Sequence, residues 1–330
     1  MDLSLIVIKK NLSYDWSLKD YPEKNGFTVM STFACGGGST MGYKLAGFDV
    51  VLASDIDPEM AELYEKNHKP KEFYLCDIRD LLNEDNLPEV DILDGSPPCS
   101  VFSLTGNRDK DWGKKKKFRE GQAEQVLDDL FFEFIKFADK VKPKVIVAEN
   151  VKGMLIGKAK GYTKLVVKEL EKIGYTVQVF LLNSATMGVP QARERVFFIA
   201  NRLDKKIKLE FKEKPIPFES LVDHSDKSEK LTPLYQKQWA NTIPGQTIGS
   251  YNVEKKIALN RPSPTVVSAT HNYHPIYKRH LNDTELKRIG TFPRDYDFNG
   301  QKANYVVGMS VPPLMMARIA NEIERQLLNV

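Results

Sequence analysis

Three clusters in the sequence combine side chains able to do covalent chemistry. Cys99 closes Asp94-Gly95-Ser96-Pro97-Pro98-Cys99-Ser100, directly behind an apolar run. Two prolines stiffen the backbone just ahead of the thiol, which is how a nucleophile's direction is fixed. Free cysteines are more often small buried hydrophobes, but a Gly-Ser-Pro-Pro turn is a poor place for a core side chain. Glu149-Asn150-Val151 ends a second apolar run and Gln191-Ala192-Arg193-Glu194-Arg195 adjoins a third. A carboxyl at an apolar strand end can be held protonated by desolvation, and arginines can fix a polar ring or a phosphate. Read singly, the acid and the arginines would be rim ion pairs.

A second set fits ligand binding. Phe33-Ala34-Cys35-Gly36-Gly37-Gly38-Ser39 leads from an apolar run into a helical pattern, and its glycines allow a tight turn and close backbone approach to a ligand. Asp55 and Asp77 stand at the ends of the next two runs, where an acid can take ribose hydroxyls. One acid after a strand is usually a helix cap. Three successive strand ends carrying Gly, Asp and Asp point to a nucleoside cofactor.

The elements that must position these residues follow from the patterning. Short apolar runs alternate with helical periods, as in parallel βαβ construction. Strands are expected at 28–33, 50–54, 73–76, 91–94, 145–149, 175–182 and 195–200, with helices at 40–47, 58–67, 122–141 and 163–173. The fold class is therefore α/β, a doubly wound and mostly parallel seven-stranded sheet whose ligands gather at the carboxyl ends of its strands. After Asn201 the rhythm stops, and Pro215, Pro217, Pro233, Pro244 and Gly245 interrupt a polar stretch. A small irregular domain at 201–279 is thus expected inside a catalytic domain made of 1–200 and 280–330. Helices resume at 281–289 and 313–328. Residues 1–26 are expected to add a strand or cover one edge of the sheet.

Composition bounds the alternatives. The 42% hydrophobic and 28% charged content is that of a packed globular protein. Three scattered cysteines argue against a disulfide framework or a zinc site. No apolar run is long enough to span a bilayer, and a cytoplasmic protein is expected. The formal net charge of +4 permits a nucleic-acid partner without demanding one. Its placement is more telling: residues 100–120 hold seven Lys or Arg against three acids, an excess equal to that of the whole chain. Most charge runs are solvated faces, but this one stands immediately behind Cys99, punctuated by glycines, as a mobile loop would.

In order and spacing these segments resemble the cytosine-C5 DNA methyltransferase family, from about Phe27 to Ala200 and again from Arg261 onward. Later matches are Arg261-Pro262-Ser263-Pro264-Thr265, the run from Arg279 to Pro293, and Val307-Gly308-Met309-Ser310-Val311-Pro312. The resemblance implies a sheet of the S-adenosylmethionine-dependent type, S-adenosylmethionine as methyl donor and double-stranded DNA as substrate. It implies that Cys99 adds to C6 of a flipped-out cytosine, that Glu149 protonates N3, that Arg193 and Arg195 bind the base, and that Asn150 holds the geometry. Phe33, Gly36, Gly37, Gly38, Asp55, Ile56, Asp77, Ile78, Pro97 and Ser310 would contact the cofactor. Ser103, Thr105, Arg108, Lys114, Lys115 and Lys116 would meet DNA through salt-sensitive contacts, and Gln236, Gln238, Gln246 and Thr247 would read it in the major groove. A monomer is expected, needing no metal and having a cognate restriction endonuclease as its partner in the cell.

Two positions depart from the family pattern. Cys35 stands where the first glycine of Phe-x-Gly-x-Gly-Gly usually does, and Met309 replaces the asparagine of Gly-Asn-Ser-Val; both put cofactor affinity, and the identity of the transferred group, in question. Two rival functions stay open at this point, the same chemistry on transfer RNA and a catalytically silent DNA-binding regulator. A transfer-RNA enzyme of this family would carry Cys-Phe-Thr, which is absent. The silent regulator has no missing catalytic residue in its favour. A nicotinamide dehydrogenase would use the glycine turn but leaves Pro-Pro-Cys without a task.

Overall fold

The computed structural model describes residues 12–98, 115–116, 125–126, 130–157, 159–228, 230–248 and 254–329. Seven strands form one sheet: β1 (Thr28–Thr32), β2 (Asp49–Asp55), β3 (Glu72–Leu75), β4 (Ile92–Gly95), β5 (Val145–Val151), β6 (Thr176–Asn183) and β7 (Glu194–Asn201). Their spatial order is β3-β2-β1-β4-β5-β7-β6. The first five in that order are parallel, while β7 runs antiparallel to both β5 and β6. Chain order reverses between β1 and β4, which leaves a crevice at the carboxyl ends of the strands.

The described helices are α1 (Gly38–Leu45), α2 (Pro58–His68), α3 (Leu130–Val141), α4 (Ala159–Lys172), α5 (Pro233–Asn241), α6 (Asp283–Gly290), α7 (Ala303–Met309) and α8 (Pro313–Ile323). The central strands read as apolar runs because they are buried on both sides; Ile92, Val145, Val147, Phe197 and Ile199 face one core with α1 and α8, and Leu93, Ile146, Ala148, Val196 and Phe198 face another with α3 and α4. Local chemistry sets the helix starts. Pro58 occupies the first turn of α2 while the Asp57 carboxylate accepts from the Glu59 and Met60 amides. At α6, Asn282 and Glu285 form a reciprocal capping box.

Several expectations change. The helix predicted from Gln122 begins at Leu130, and Gln125–Val126 pair instead with Lys115–Lys116 in a short antiparallel ladder. The apolar stripe that drives α3 into the core is formed by Leu130, Phe131, Phe134, Ile135, Phe137 and Ala138. Helices α5 and α7 were not predicted, and the last helix passes into a π-helical turn at Glu324–Leu328. The described part of the N-terminal segment adds no strand. Trp16 is buried, donating its indole N–H to the Thr291 carbonyl at 2.8 Å, and the Ser17 hydroxyl donates to Asp295 at 2.7 Å. The segment therefore straps the loop after α6.

Between β7 and α6 the chain contributes to two cores. Ile207, Leu209, Phe218, Leu221, Ile257 and Val266 join the main one, while Leu231, Ile248 and Tyr273 form a small cluster with Trp239. The Lys256 ammonium sits 3.6 Å from the Trp239 ring centroid and donates to the Trp239 carbonyl.

Candidate active site

The carboxyl edge of the sheet brings the predicted clusters together. A cleft opens there, lined by Phe33 and Cys35 after β1, Asp55 and Ile56 at the end of β2, Cys76, Asp77 and Ile78 after β3, and Ser96 and Pro98 after β4. Tyr305 and Met309 of α7 close it from the far end of the sequence. Its apolar walls with a few convergent acids are those of a small-molecule site. Asp55 is pinned by the turn beside it: Cys35 N donates to Oδ2 at 2.7 Å and Asp57 N to Oδ1 at 2.9 Å. Burial pushes the Asp55 carboxyl up and these amides pull it back. Asp77 accepts from the Arg79 amide and from its guanidinium at 2.9 Å. Two fixed carboxylates, an aromatic ring and two isoleucines suit a nucleoside with donor hydroxyls and an amino group.

The three glycines are closely packed by neighbouring elements. None lines the cleft. A methyl group on Gly36 would lie 2.5 Å from Val306, on Gly37 2.0 Å from the His68 ring and on Gly38 2.3 Å from the Val311 carbonyl. They let α2, α7 and the start of α8 close around the turn, and Gly37 also needs its φ of 76°. Tyr296 Oη donates to the Gly36 carbonyl at 2.7 Å, and His68 Nε2 lies 3.2 Å from the same oxygen. Burial drives the His68 pKa down to about 3, so the ring is neutral. Cys35, where the family pattern has glycine, holds a φ of 47°. Ser310 packs against this turn and donates to the Val306 carbonyl, and the Pro97 carbonyl is taken by Asn150; neither side chain lines the cleft.

On the other side of β4 stands the acid and arginine set. Arg195 Nε lies 2.9 Å from Glu149 Oε1, both largely buried. Burial lowers the Arg195 pKa, opposed by the Glu149 carboxylate. Register explains the meeting, because Arg195 pairs with Val151 and Phe197 with Glu149 across the antiparallel β5–β7 ladder. The Gln-Ala-Arg-Glu-Arg segment therefore reaches the site at the beginning of its strand, not at a carboxyl end, since β7 runs the opposite way. The Asn150 amide donates to the Pro97 carbonyl at 2.9 Å, tying this strand end to the Pro-Pro turn. Arg193 is 2% exposed and points away from Arg195, donating to the carbonyls of Val266 and Gly308. Burial holds its pKa well below the usual value, with Arg195 adding repulsion. It acts as a strut between β7, the returning segment and α7.

The remaining predicted residues divide. Cys99, Ser103, Thr105, Arg108 and Lys114 lie outside the described residues, and of Lys115 and Lys116 only the backbone is described. Gln236 on α5 donates its amide to the Leu231 carbonyl, Gln238 is half-buried, Gln246 is exposed and Thr247 is half-buried in an isolated bridge to Lys255. Sequence reasoning missed Ser96, Pro98, Tyr305 and Leu130 as lining residues. Ser96 and Pro98 flank Pro97 in the same turn and were within reach of it; Tyr305 stands four residues before Met309, one helical turn, which was the available clue.

The model of the C-5 cytosine-specific DNA methylase family matches residues 27–258 and 218–325. The chain belongs to that family. It is 30% identical to the type II methyltransferase M.FnuDI of Fusobacterium nucleatum, over 91% of this chain and 94% of that protein. It is 29% identical to M.NgoFVII of Neisseria gonorrhoeae, covering 89% and 86%. Among solved structures, one described as a DNA modification methyltransferase encoded within an E. coli prophage superposes with a TM-score of 0.74 at 18% identity, covering 92% of this chain and all of that one. A DNMT2 mutant from Spodoptera frugiperda gives 0.63 at 18% identity, covering 89% and 98%. These two likenesses concern the fold. As a DNA cytosine-C5 methylase the chain transfers a methyl group to DNA, and the seven-stranded sheet with one reversed strand is the framework on which it does so.

Proposed function

We propose that this methylase acts on cytosine in a specific duplex sequence, with Cys99 as nucleophile and S-adenosylmethionine as donor. The observation that carries the reading is the Asn150–Pro97 hydrogen bond, which joins the strand end bearing Glu149 to the turn that leads into Cys99. The Cys99 thiolate adds to C6, and Glu149 delivers a proton to N3, so that C5 becomes a carbon nucleophile. Arg195 orients Glu149 and faces the base. Bound in the cleft, the cofactor would supply an electrophilic methyl to C5 and leave as its thioether; loss of the C5 proton to water, return of the N3 proton to Glu149 and departure of the Cys99 thiolate from C6 then restore the ring. Phe33 would stack on adenine, Asp55 would accept from the ribose hydroxyls and Asp77 from the adenine amino group, with Ile56 and Ile78 beside them in the lining. Flipping the base costs roughly a few kcal/mol, offset by phosphate contacts from residues 100–120. Residues 201–279 form the recognition domain, with Gln246 its most accessible amide among those proposed to read bases.

The protein works as a cytoplasmic monomer without a metal, beside a cognate endonuclease. No helix among the described residues is long and apolar enough to cross a membrane. Duplexes bearing 5-fluorocytosine, incubated with S-adenosylmethionine, are expected to form a denaturation-resistant adduct with the protein and none with Cys99→Ser. Adduct formation by the serine variant, or methyl label entering transfer RNA alone, would overturn the proposal.

A further inference from the structure

Asp94 has no part in the chemistry above, yet it is a carboxyl set into the sheet at 2% exposure, at the end of β4. Its neighbours in the strands fix where it points. Ile92 of β4 and Val145 and Val147 of β5 face the core shared with α1 and α8, and alternation puts Asp94 and Glu149 on that same face. Asp94 pairs with Val147, so Glu149 is its diagonal neighbour, one row nearer the cleft. The Tyr43 hydroxyl donates to Oδ1 at 3.2 Å and the Ser31 hydroxyl to Oδ2 at 3.3 Å, while Thr32 Oγ1 donates to the Asp94 carbonyl at 3.0 Å. The groups facing the carboxyl are Ser31 of β1, Ser39 and Tyr43 of α1, Tyr64 of α2 and Glu149 of β5. These are hydroxyls and a second carboxyl.

From this placement we infer that Asp94 is a positioning residue for methyl transfer: a buried carboxyl whose charge state is coupled to Glu149 and sets the field beneath it. The inference rests on the catalytic reading of Glu149. Burial pushes the Asp94 pKa up to about 7, and the Glu149 charge adds to that, while the hydroxyls of Tyr43, Ser31 and Ser39 oppose it. Asp94 is thus neutral below neutrality and an anion above it, so a negative charge arises one row under the carboxyl that faces the base.

The test is carbon-13 NMR of the protein labelled at aspartate carboxyl carbons, alongside kcat against pH. One resonance should titrate near pH 7, be missing from Asp94→Asn, and move to lower pH in Glu149→Gln. The wild-type kcat profile should show an ionisation near pH 7 that Asp94→Asn lacks, with the dissociation constant for S-adenosylmethionine unchanged. Tyr43→Phe, which keeps the ring and removes an opposing donor, should move both midpoints upward and serves if the asparagine variant does not fold. A resonance that ignores Glu149→Gln, or a kcat profile identical in Asp94→Asn, sinks the inference. A Glu149→Gln protein that still methylates while the Asp94 resonance moves counts against the catalytic reading and leaves the coupling intact.

Discussion

Replacing Glu285 by glutamine removes one charge from a place where four N–H donors converge on a single carboxylate. Arg279 grips it with both terminal nitrogens, at 2.8 and 2.9 Å, and the Asp223 and Asn282 amides each approach within 3.1 Å. His274 Nε2 lies 3.2 Å from Oε1, off the line of a hydrogen bond, while its Nδ1 accepts from the amides of Ile276 and Tyr277. Glu285 is fully buried and Arg279 is 1% exposed. Glutamine would turn an amide N–H₂ toward donors and leave the guanidinium without its counter-charge, a loss of about 3–5 kcal/mol for a broken buried pair. The titration gives a second figure. Burial works to raise the Glu285 pKa, but Arg279 and His274 overcome it and hold the carboxyl at about 2. Against an ordinary value of about 4.3, that depression amounts to roughly 3 kcal/mol at pH 7.

The sign follows from the depression. The stabilisation is complete above the unfolded carboxylate range and is lost as pH falls towards 2, with about half gone by pH 3. Thermal unfolding followed by circular dichroism should place Glu285→Gln roughly 5–15 °C below wild type at pH 7. The gap should narrow steadily at pH 5, 4 and 3. Equal melting temperatures at pH 7, or a gap of the same width at pH 7 and pH 3, would refute the reasoning.

Two substitutions probe the site more directly. Asn150→Ala removes the donor to the buried Pro97 carbonyl, at a cost of about 1–3 kcal/mol; expressed in the placement of the turn, this should lower kcat about 10- to 100-fold in single-turnover methylation, with cofactor affinity by calorimetry unchanged, and a parallel fall in both would contradict it. Cys35→Gly relieves a left-handed backbone, worth about 1 kcal/mol, and should raise the melting temperature of the cofactor-free protein by about 1–2 °C; a decrease would mean that the 3.7 Å contact of the Cys35 sulfur with Met60 outweighs the strain.

The sheet was legible because its strands are short apolar runs bounded by turn residues. All seven were located to within two residues, from Thr28–Thr32 to Glu194–Asn201. Helix α5 was not, because none of its residues is buried and it carries no apolar stripe for a periodicity to reveal. Strand direction is equally invisible in composition. The arginine segment was placed beside a strand, and only the reversal of β7 brings the opening of that strand to the same edge as the carboxyl ends of the parallel ones. The glycine turn was found, but not its packing, since the atoms that crowd Gly36 and Gly38 come from Val306 and Val311, far along the chain. Arg193 matched its motif, and nothing in the sequence distinguishes a buried strut from a base contact.

Tyr296 reaches back 260 positions to hold the Gly36 carbonyl, and Tyr305 and Met309 supply a wall that β1, β2 and β3 cannot make for themselves. During synthesis, then, the aspartates emerge from the ribosome long before the side chains that enclose them. Contacts so distant along the chain form late and slowly. Occupancy of the cleft becomes a property of the finished catalytic fold, and a chain stalled in the recognition region would carry the acids of a cofactor site without the means to retain a ligand.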